Sequence, residues 1–338
     1  MENFKSSNDI LDNDEKIRQR IIDDGYLYLQ NFFPKKKIID IRNRMLSIIN
    51  EAGWIETSNG KNFKEAIAKI DAFVPDTHPQ SDFVVKKQLS EHIIRDLQHH
   101  ERIISLFETI FNGPVFPLPR VIPRTLFPNQ NEHTTPPHQD YPHVQGSFET
   151  YAVWIPLGYC SKKIGGISIA SGTNKEGILP ILPSMGAGGM AVKDKYKTQW
   201  RHNSMNYGDI LIFNCMTVHK GIANTSKRLR ISIDMRYQPL EHSICEDWLN
   251  PHRDLLSWDE IYKNWPDNYT KYYWKDLSLK TTRFNESYYR KRDLKAFEMA
   301  ESGDKDAIAT LERIKRKAIQ QKKYKLVEKA EVALEKLK

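Results

Sequence analysis

The sequence predicts a mainly β protein, an antiparallel sandwich or barrel, with helical segments on both sides of it along the chain. Short apolar runs recur between turn residues from residue 115 to about 238, where prolines and glycines also cluster. Many short strands without helices between them are typical of antiparallel sheets rather than of βαβ units. Apolar residues with helical spacing precede this region and return after residue 290.

The N-terminal third predicts helices. Residues 1–14 are polar and we expect them to be flexible. Residues 15–52 predict two helices, because Asp24-Gly25 breaks the apolar periodicity and Pro34 is a good first residue for the second helix. Residues 82–112 predict one further helix that ends at Gly113-Pro114.

The strands are predicted near 115–127, 150–157, 164–170, 189–193, 209–214 and 229–238. The last one alternates strictly: its odd positions are apolar or aromatic and its even positions are polar. One face of this strand therefore packs on a core. The other face carries Arg230, Ser232, Asp234 and Arg236, which would meet solvent on a surface sheet but would line a polar cavity in a barrel.

The positive charge is concentrated at the C-terminus. The chain of 338 residues has a formal charge of +8, and residues 290–338 hold 15 Lys and Arg against nine Asp and Glu, a net +6. Their apolar residues have helical spacing, and no aromatic stacking pattern accompanies the lysines, so an amphipathic helix is favoured over a nucleic-acid-binding arm. We divide the chain into a flexible 1–14, a β domain with N-terminal helices over 15–240, and a C-terminal helical extension over 241–338. The extension packs on the core or on a partner subunit, which makes a homo-oligomer possible.

Other features limit the classes of protein. No apolar run reaches the ~18 residues of a membrane helix, and the polar start has no secretory h-region. The three cysteines, an odd number at wide spacing, form neither a disulfide framework nor a zinc cluster. We therefore expect a cytoplasmic protein with no membrane partner and no nucleic-acid partner.

A candidate metal site comes from three residues. His138 and Asp140 are two positions apart, and on an extended segment such residues point to the same side. His219, which follows the predicted strand 209–214, is the candidate third ligand. Two histidines and one carboxylate on one face of an octahedron form the ligand set of non-haem iron(II) oxygenases, and three positions stay open. Two of these can bind a keto-acid and the third O₂.

Arg230 and Ser232 extend this hypothesis. Both lie on the polar face of the strand that follows His219. A guanidinium binds a carboxylate through two parallel hydrogen bonds, and a hydroxyl adds another. These side chains suit the distal carboxylate of 2-oxoglutarate. Each feature alone is weak, because such motifs recur by chance, but the ordered set is specific. Two alternatives are a jelly-roll binding module without catalysis, and a hydrolytic or isomerising enzyme with the same ligands and another metal, which would not need Arg230.

The sequence resembles the phytanoyl-CoA dioxygenase family of iron(II)/2-oxoglutarate oxygenases, from about Asp24 to about Pro239. The matching stretches are Asp24-Gly25-Tyr26-Leu27-Tyr28-Leu29, Pro136-Pro137-His138-Gln139-Asp140, Val153-Trp154-Ile155-Pro156-Leu157, Gly165-Gly166, Gly172-Thr173-Asn174-Lys175, Gly208-Asp209-Ile210-Leu211-Ile212-Phe213, Val218-His219-Lys220 and Arg228-Leu229-Arg230-Ile231-Ser232-Ile233-Asp234-Met235-Arg236-Tyr237-Gln238. The resemblance implies a double-stranded β-helix, which is a cupin-like jelly roll. One departure is Asn174, which stands where the family commonly has a histidine that does not bind the metal.

The resemblance also implies roles for individual residues. His138, Asp140 and His219 would hold Fe(II), Arg230 would bind 2-oxoglutarate with help from Ser232, and Trp154 would lie beside that co-substrate. The implied reaction is hydroxylation of an unactivated C–H bond of a small molecule (a secondary metabolite, lipid or acyl derivative) with release of succinate and CO₂. Desaturation, epoxidation or cyclisation by the same cofactors remains an alternative.

Further contacts to the co-substrate or substrate are expected around this centre. Arg124, on the segment that leads into the metal motif, is a candidate for the keto-acid or an acidic substrate. Arg120, Tyr141, His143 and Gln145 are candidates for the substrate. Residues 184–206 are expected to form a long loop that covers the site as a lid, with His202 at the surface.

Overall fold

The computed structural model describes residues 1–74, 79–186, 188–267 and 269–338. The helices are α1 Asp14–Asp24, α2 Lys35–Glu51, α3 Gly60–Glu65, α4 Pro79–Leu89, α5 His92–Gln98, α6 Glu101–Phe111, α7 Tyr141–Val144, α8 Trp258–Tyr262, α9 Ser287–Glu301, α10 Ile308–Gln320 and α11 Tyr324–Glu335. The strands are β1 Tyr26–Leu29, β2 Val115–Pro117, β3 Ile122–Leu126, β4 Tyr151–Pro156, β5 Ile167–Ala170, β6 Leu182–Pro183, β7 Met190–Ala191, β8 Trp200–Arg201, β9 Ile210–Asn214, β10 His219–Gly221, β11 Arg230–Pro239, β12 Ile244–Cys245 and β13 Thr281–Thr282.

Two antiparallel sheets form the β domain. The larger sheet has the order β1–β9–β4–β11–β2, and β3 also pairs with β11. The smaller sheet has the order β10–β5–β8. Side chains of both sheets pack in one buried cluster, to which the larger sheet contributes Trp154 and Phe213 and the smaller sheet Ile169. The prediction of a double-stranded β-helix with flanking helices is confirmed.

The long strand β11 separates an apolar core from a polar interior. All ten of its residues are buried. Ile231, Ile233, Met235 and Tyr237 belong to the apolar core between the larger sheet and the helices. Because side chains alternate along a strand, the polar residues face the inside of the barrel. The sequence left open whether this polar face meets solvent or lines a cavity. The structure shows that it lines the interior of the barrel.

The helices α1, α2 and α6 cover the outer face of the larger sheet. The predicted apolar stripe of α2 is buried, with Ile38, Ile41 and Met45 each 0% exposed. Full burial of such a side chain contributes about 1.5–3 kcal/mol. The break after α1 is confirmed, since Gly25 adopts a φ of 76° that favours glycine.

Two N-terminal expectations are wrong. The single helix expected over 82–112 is three helices, because the chain leaves helical dihedral angles at Glu91 and again at His100, while the apolar spacing continues through both breaks. Residues 1–14, expected to be flexible, pack on the β domain. Phe4 is 5% exposed against Tyr26, and Ser7 N–H donates to the Tyr28 carbonyl at 2.9 Å.

The C-terminal extension packs on the β domain of the same chain. Its first part forms an aromatic cluster with Phe116 and Ile122, which includes Trp248, Tyr262, Trp265 and Trp274. Helices α9, α10 and α11 then form an apolar cluster of their own, and α10 and α11 are separated at Lys322, which has a φ of 54°. Among the described residues, no helix combines the length and the apolar composition that crossing a membrane requires.

Candidate active site

Two histidines face each other at the start of β10. His138 and His219 form an isolated antiparallel bridge, with N–H···O distances of 2.9 and 3.0 Å, and their rings are 4.1 Å apart. Oδ1 of Asp140 is 3.5 Å from Nε2 of His138 and 3.6 Å from Nε2 of His219. The three ligand atoms lie within 4.8 Å of one another. The structure therefore brings together the three residues that the sequence proposes as metal ligands.

The backbone sets the tautomer of both histidines. Nδ1 of His138 lies 2.9 Å from the Pro136 carbonyl oxygen, and Nδ1 of His219 lies 3.0 Å from that of Thr217. Because a carbonyl only accepts, each Nδ1 carries the proton and each Nε2 keeps its lone pair. Burial, and then the neighbouring His138, lowers the pKa of His219 to about 3, so this imidazole is neutral at pH 7. Two imidazole lone pairs and a carboxylate oxygen fit Fe(II) as a facial triad.

Asp140 is held by an arginine that the sequence analysis did not assign to the site. Nη2 of Arg236 donates to Oδ2 of Asp140 at 2.7 Å, and both side chains are buried. Burial alone would raise the pKa of Asp140, but Arg236 and the two histidines outweigh it and hold the pKa well below its usual range. Arg236 thus leaves Oδ1 directed at the histidines. The alternation of β11 placed Arg236 on the polar face, and that was the only signal for it.

Three polar groups at the other end of the barrel interior lack partners. Arg230 is 8% exposed and Ser232 is 0% exposed. Neither Nε of Arg230, nor Oγ of Ser232, nor Nε1 of Trp154 has a hydrogen-bond partner among the described residues. Nη1 of Arg230 donates to the Gly166 carbonyl at 3.1 Å, and the guanidinium lies 5.9 Å from the Trp154 ring centroid. Buried polar groups are normally paired, so this set fits a carboxylate ligand such as the distal end of 2-oxoglutarate.

A cavity of about 470 Å³ has Arg124 and Arg230 in its wall, which is within the usual size of small-molecule sites. Arg124 on β3 lies opposite Ser232 on β11. Its Nε donates to Oδ2 of Asp234 at 2.6 Å. Arg124 therefore reaches the cavity as half of an ion pair, and its role towards the keto-acid or an acidic substrate stays a prediction.

None of the four residues proposed as substrate contacts is among the described residues that line the cavity. Nδ1 of His143 is 2.9 Å from the Tyr289 hydroxyl on α9, and the ring is 6.3 Å from that of His138. Tyr141 stacks on Phe148. The remaining two bind the C-terminal extension. The side chain of Gln145 exchanges hydrogen bonds with the backbone of Asn285, and Arg120 donates to the carbonyls of Asp247 and Asn250.

Two short strands interrupt the loop expected over 184–206: β7 lies within the strand predicted near 189–193, whereas β8 was not expected. Strand β8 joins the smaller sheet, with Trp200 4% exposed. Met185, Gly186 and Gly188 alone of this stretch line the cavity, whereas Ala187 lies outside the described residues. His202 is 4% exposed instead of lying at the surface, and its Nδ1 is 3.1 Å from the Ile167 carbonyl.

The chain matches one known protein family by sequence. A sequence model of the phytanoyl-CoA dioxygenase family matches residues 22–232. Two relatives are 1-deoxypentalenic acid 11-beta-hydroxylases, from Streptomyces exfoliatus (25% identical over 245 residues) and Streptomyces arenae (24% over 246 residues); each match covers 68% of this chain and 83% of the relative.

Among solved structures, the epimerase SnoN with Fe3+, alpha ketoglutarate and nogalamycin RO is similar at 16% identity and a TM-score of 0.49, over 69% of this chain and 86% of that one. The carbocyclase SnoK from nogalamycin biosynthesis is similar at 16% identity and a TM-score of 0.48, over 69% and 87% of the two chains. The match to the family model contains the three candidate ligands and ends at Ser232.

Proposed function

This chain belongs to the phytanoyl-CoA dioxygenase family and is an iron(II)- and 2-oxoglutarate-dependent oxygenase, and we propose that it hydroxylates an aliphatic C–H bond of a small molecule through His138, Asp140 and His219. The observation that carries the assignment of these residues is their convergence. Both Nε2 lone pairs and one carboxylate oxygen point to one position, while hydrogen bonds fix the other atoms of all three groups.

His138, Asp140 and His219 would hold Fe(II), which with 2-oxoglutarate and O₂ would supply the oxidising chemistry: one oxygen atom of O₂ would enter the substrate as an alcohol and the other would enter succinate, with loss of CO₂. The protein supplies ligand geometry and orientation. His219 stays neutral because its pKa is lowered, and both His138 and His219 keep their Nε2 atoms directed inward. Arg236 neutralises the buried Asp140 and holds Oδ2.

Arg230 and Ser232 are the proposed anchor for the distal carboxylate of 2-oxoglutarate, and Trp154 Nε1 is a further donor beside it. A charge-assisted hydrogen bond of this kind contributes about 1.5–3 kcal/mol. The two relatives are hydroxylases of a small carboxylic acid, which supports hydroxylation and a small-molecule substrate.

An anaerobic titration tests the assignment. Metal-free protein receives Fe(II) and then 2-oxoglutarate, and the visible charge-transfer band of the keto-acid complex is recorded. We expect the band in the wild type, its loss in His219→Ala, and its retention in the matched control His92→Ala, because the half-exposed His92 on α5 faces Asp96 of the same helix, which is not part of the cluster. A band of equal strength in His219→Ala contradicts the ligand assignment. Succinate release in air then screens candidate substrates.

A further inference from the structure

The C-terminal extension supplies part of the wall of the cavity described above. Ala309, Glu312, Arg313 and Arg316 of α10 line it, together with residues of the β domain and of the N-terminal helices. The match to the family ends at residue 232, so α10 belongs to a part of the chain outside the family domain. This helix gives the cavity a property that the family domain alone does not supply.

That property is an excess of arginine side chains in the cavity wall, some of which have no ion-pair partner among the described residues. The lining contains five arginines and, among the described residues, one carboxylate, that of Glu312; the arginines are Arg124, Arg230, Arg253, Arg313 and Arg316. Two of the five are paired, since Arg124 binds Asp234 at 2.6 Å and Arg253 binds Asp82 at 2.7 Å. Arg230 is the proposed anchor of the co-substrate. Arg313 and Arg316 on α10 are therefore the two arginines of the lining that have neither an ion pair in the described part of the chain nor a role in the proposed function.

Arg313 and Arg316 have no acidic group within ion-pair distance in the part of the chain that the structure describes. Nη1 of Arg313 is buried without a hydrogen-bond partner. Burial, and then the like charges of Arg292 and Arg316, lowers the pKa of Arg313. Holding the partly buried Arg313 beside the like charge of the exposed Arg316 costs free energy unless an anion binds there.

Contacts through Gly189, Gly188 and His143 connect Arg313 to the candidate metal cluster, although His138, Asp140 and His219 are not among the described residues that line the cavity. A Cβ on Gly189 would overlap the guanidinium of Arg313, so Arg313 lies directly against the backbone there. A Cβ on the preceding Gly188 would be 3.4 Å from Nε2 of His143, whose ring is 6.3 Å from that of His138. An anionic group bound at Arg313 is thus within the reach of a small molecule whose other part lies at the metal.

The rest of the wall is mixed. Its apolar part includes Trp54, Phe73, Val84, Ile122, Phe127 and Met185, and its polar part includes Ser81, Gln88, Thr125, Gln130, His133, Thr135 and His252. A wall that offers apolar side chains and a cationic end fits an amphiphilic molecule that has one anionic head. Low-dielectric surroundings strengthen the attraction between such a head and the arginines.

We propose that Arg313 and Arg316 of α10 bind the anionic head, a carboxylate or a phosphate, of an otherwise apolar substrate. This inference rests on the proposed function, because it places the apolar body of that substrate at the metal cluster. It makes the C-terminal extension part of the substrate site.

The test uses full-length protein loaded with Fe(II) and 2-oxoglutarate without O₂. Calorimetry measures the binding of three probes with the same chain: decanoate, decyl phosphate and the neutral methyl decanoate. The variants are Arg313→Gln/Arg316→Gln, the single Arg316→Gln at an exposed position, and the control Lys317→Gln, an exposed cation of α10 outside the lining. The charge-transfer band is recorded in every sample.

We expect the wild type to bind at least one anion about tenfold or more tightly than the ester, the double variant to lose that preference, and Lys317→Gln to keep it. Whether decanoate or decyl phosphate shows the preference identifies the head group. If the double variant fails to fold, Arg316→Gln decides, with an expected loss of about threefold or more for the anion.

Equal binding of anion and ester by the wild type, no binding of either anion, or an unchanged preference in the folded arginine variants overturns the inference. The band separates this failure from failure of the proposed function. A wild type with the band but without anion preference refutes only the role of α10, whereas absence of the band refutes the iron and 2-oxoglutarate assignment itself.

Discussion

Replacing Arg230 with methionine is expected to weaken 2-oxoglutarate binding while leaving the fold of the free protein intact. In the free protein this guanidinium is buried, makes one hydrogen bond, from Nη1 to the Gly166 carbonyl, and has an unpartnered Nε. The substitution gives up about 1 kcal/mol for that hydrogen bond. It also removes a buried cation, and replacing buried charge by an apolar side chain is often neutral or stabilising. The free energy of unfolding should therefore change by less than about 1.5 kcal/mol.

The loss in affinity should be larger. The methionine removes the charge-assisted hydrogen bonds to the distal carboxylate, worth about 1.5–3 kcal/mol, which corresponds to a rise of about 10- to 150-fold in the Kd of 2-oxoglutarate. The anaerobic charge-transfer titration measures this Kd. The control is Arg228→Gln, because Arg228 pairs with Glu65 at the surface and such pairs contribute little.

Arg236 is the opposite case on the same face of β11. Its partner Asp140 is buried with it, so Arg236→Met leaves an uncompensated carboxylate and should lower the free energy of unfolding of metal-free protein by about 3–5 kcal/mol. Urea unfolding compares the two variants. A loss for Arg230→Met as large as that for Arg236→Met, with unchanged 2-oxoglutarate affinity, would refute the reasoning and make Arg230 a structural residue.

Three further predictions concern other parts of the molecule. All three cysteines are buried, and burial raises the pKa of the Cys160 thiol to about 11, so a thiol reagent at pH 8 should label urea-unfolded protein at three sites but the native protein hardly at all. Burial also lowers the pKa of His99 to about 3. Because this histidine binds a proton near pH 6.5 in the unfolded chain but not in the folded protein, the free energy of unfolding should fall as the pH falls below 6.5, by up to about 1.4 kcal/mol per pH unit for this group. Urea unfolding at pH 7 and pH 5 should therefore show a smaller change in the free energy of unfolding for His99→Gln than for the wild type. Gly189→Ala should destabilise more than Gly177→Ala in thermal unfolding, because both have positive φ but only the first meets a guanidinium; equal losses would mean that Arg313 moves aside freely.

The parts of the fold that the sequence predicts correctly are those with a local signal. The alternating pattern of β11 and the helical periodicity of α2 each arise because one face of the element packs on one core. The sequence therefore predicted the bounds of both elements to within a few residues. The sequence pattern does not indicate the helix breaks at Glu91 and His100, because the apolar spacing continues across them. A pattern shows which face is buried but not where tertiary packing turns the chain.

The three residues proposed as metal ligands converge for a reason that is only partly the expected one. The same-side argument for His138 and Asp140 assumed that both lie on an extended segment. His138 does lie on a bridge, but Asp140 has the helical φ and ψ of −73° and −28° and is the N-cap residue of α7. Its carboxylate converges with the histidines because Arg236, from another strand, holds the other oxygen. Which cation pairs with which carboxylate across strands is not encoded in spacing.

The C-terminal extension shows the same limit on a larger scale. The apolar stripe of α10 was expected, and Leu311, Ile314 and Ala318 are buried as that stripe requires. The sequence separates the apolar positions of α10 from its charged positions. It does not show which charged residues line the cavity, as Arg313 and Arg316 do, and which lie outside the lining, as the exposed Lys317 does. Trp248 Nε1 donates to the His143 carbonyl, and Tyr289 binds the His143 ring, so the extension also contacts the segment that follows the metal ligands. The end of the family match at residue 232 therefore does not mark the end of the substrate site that we propose.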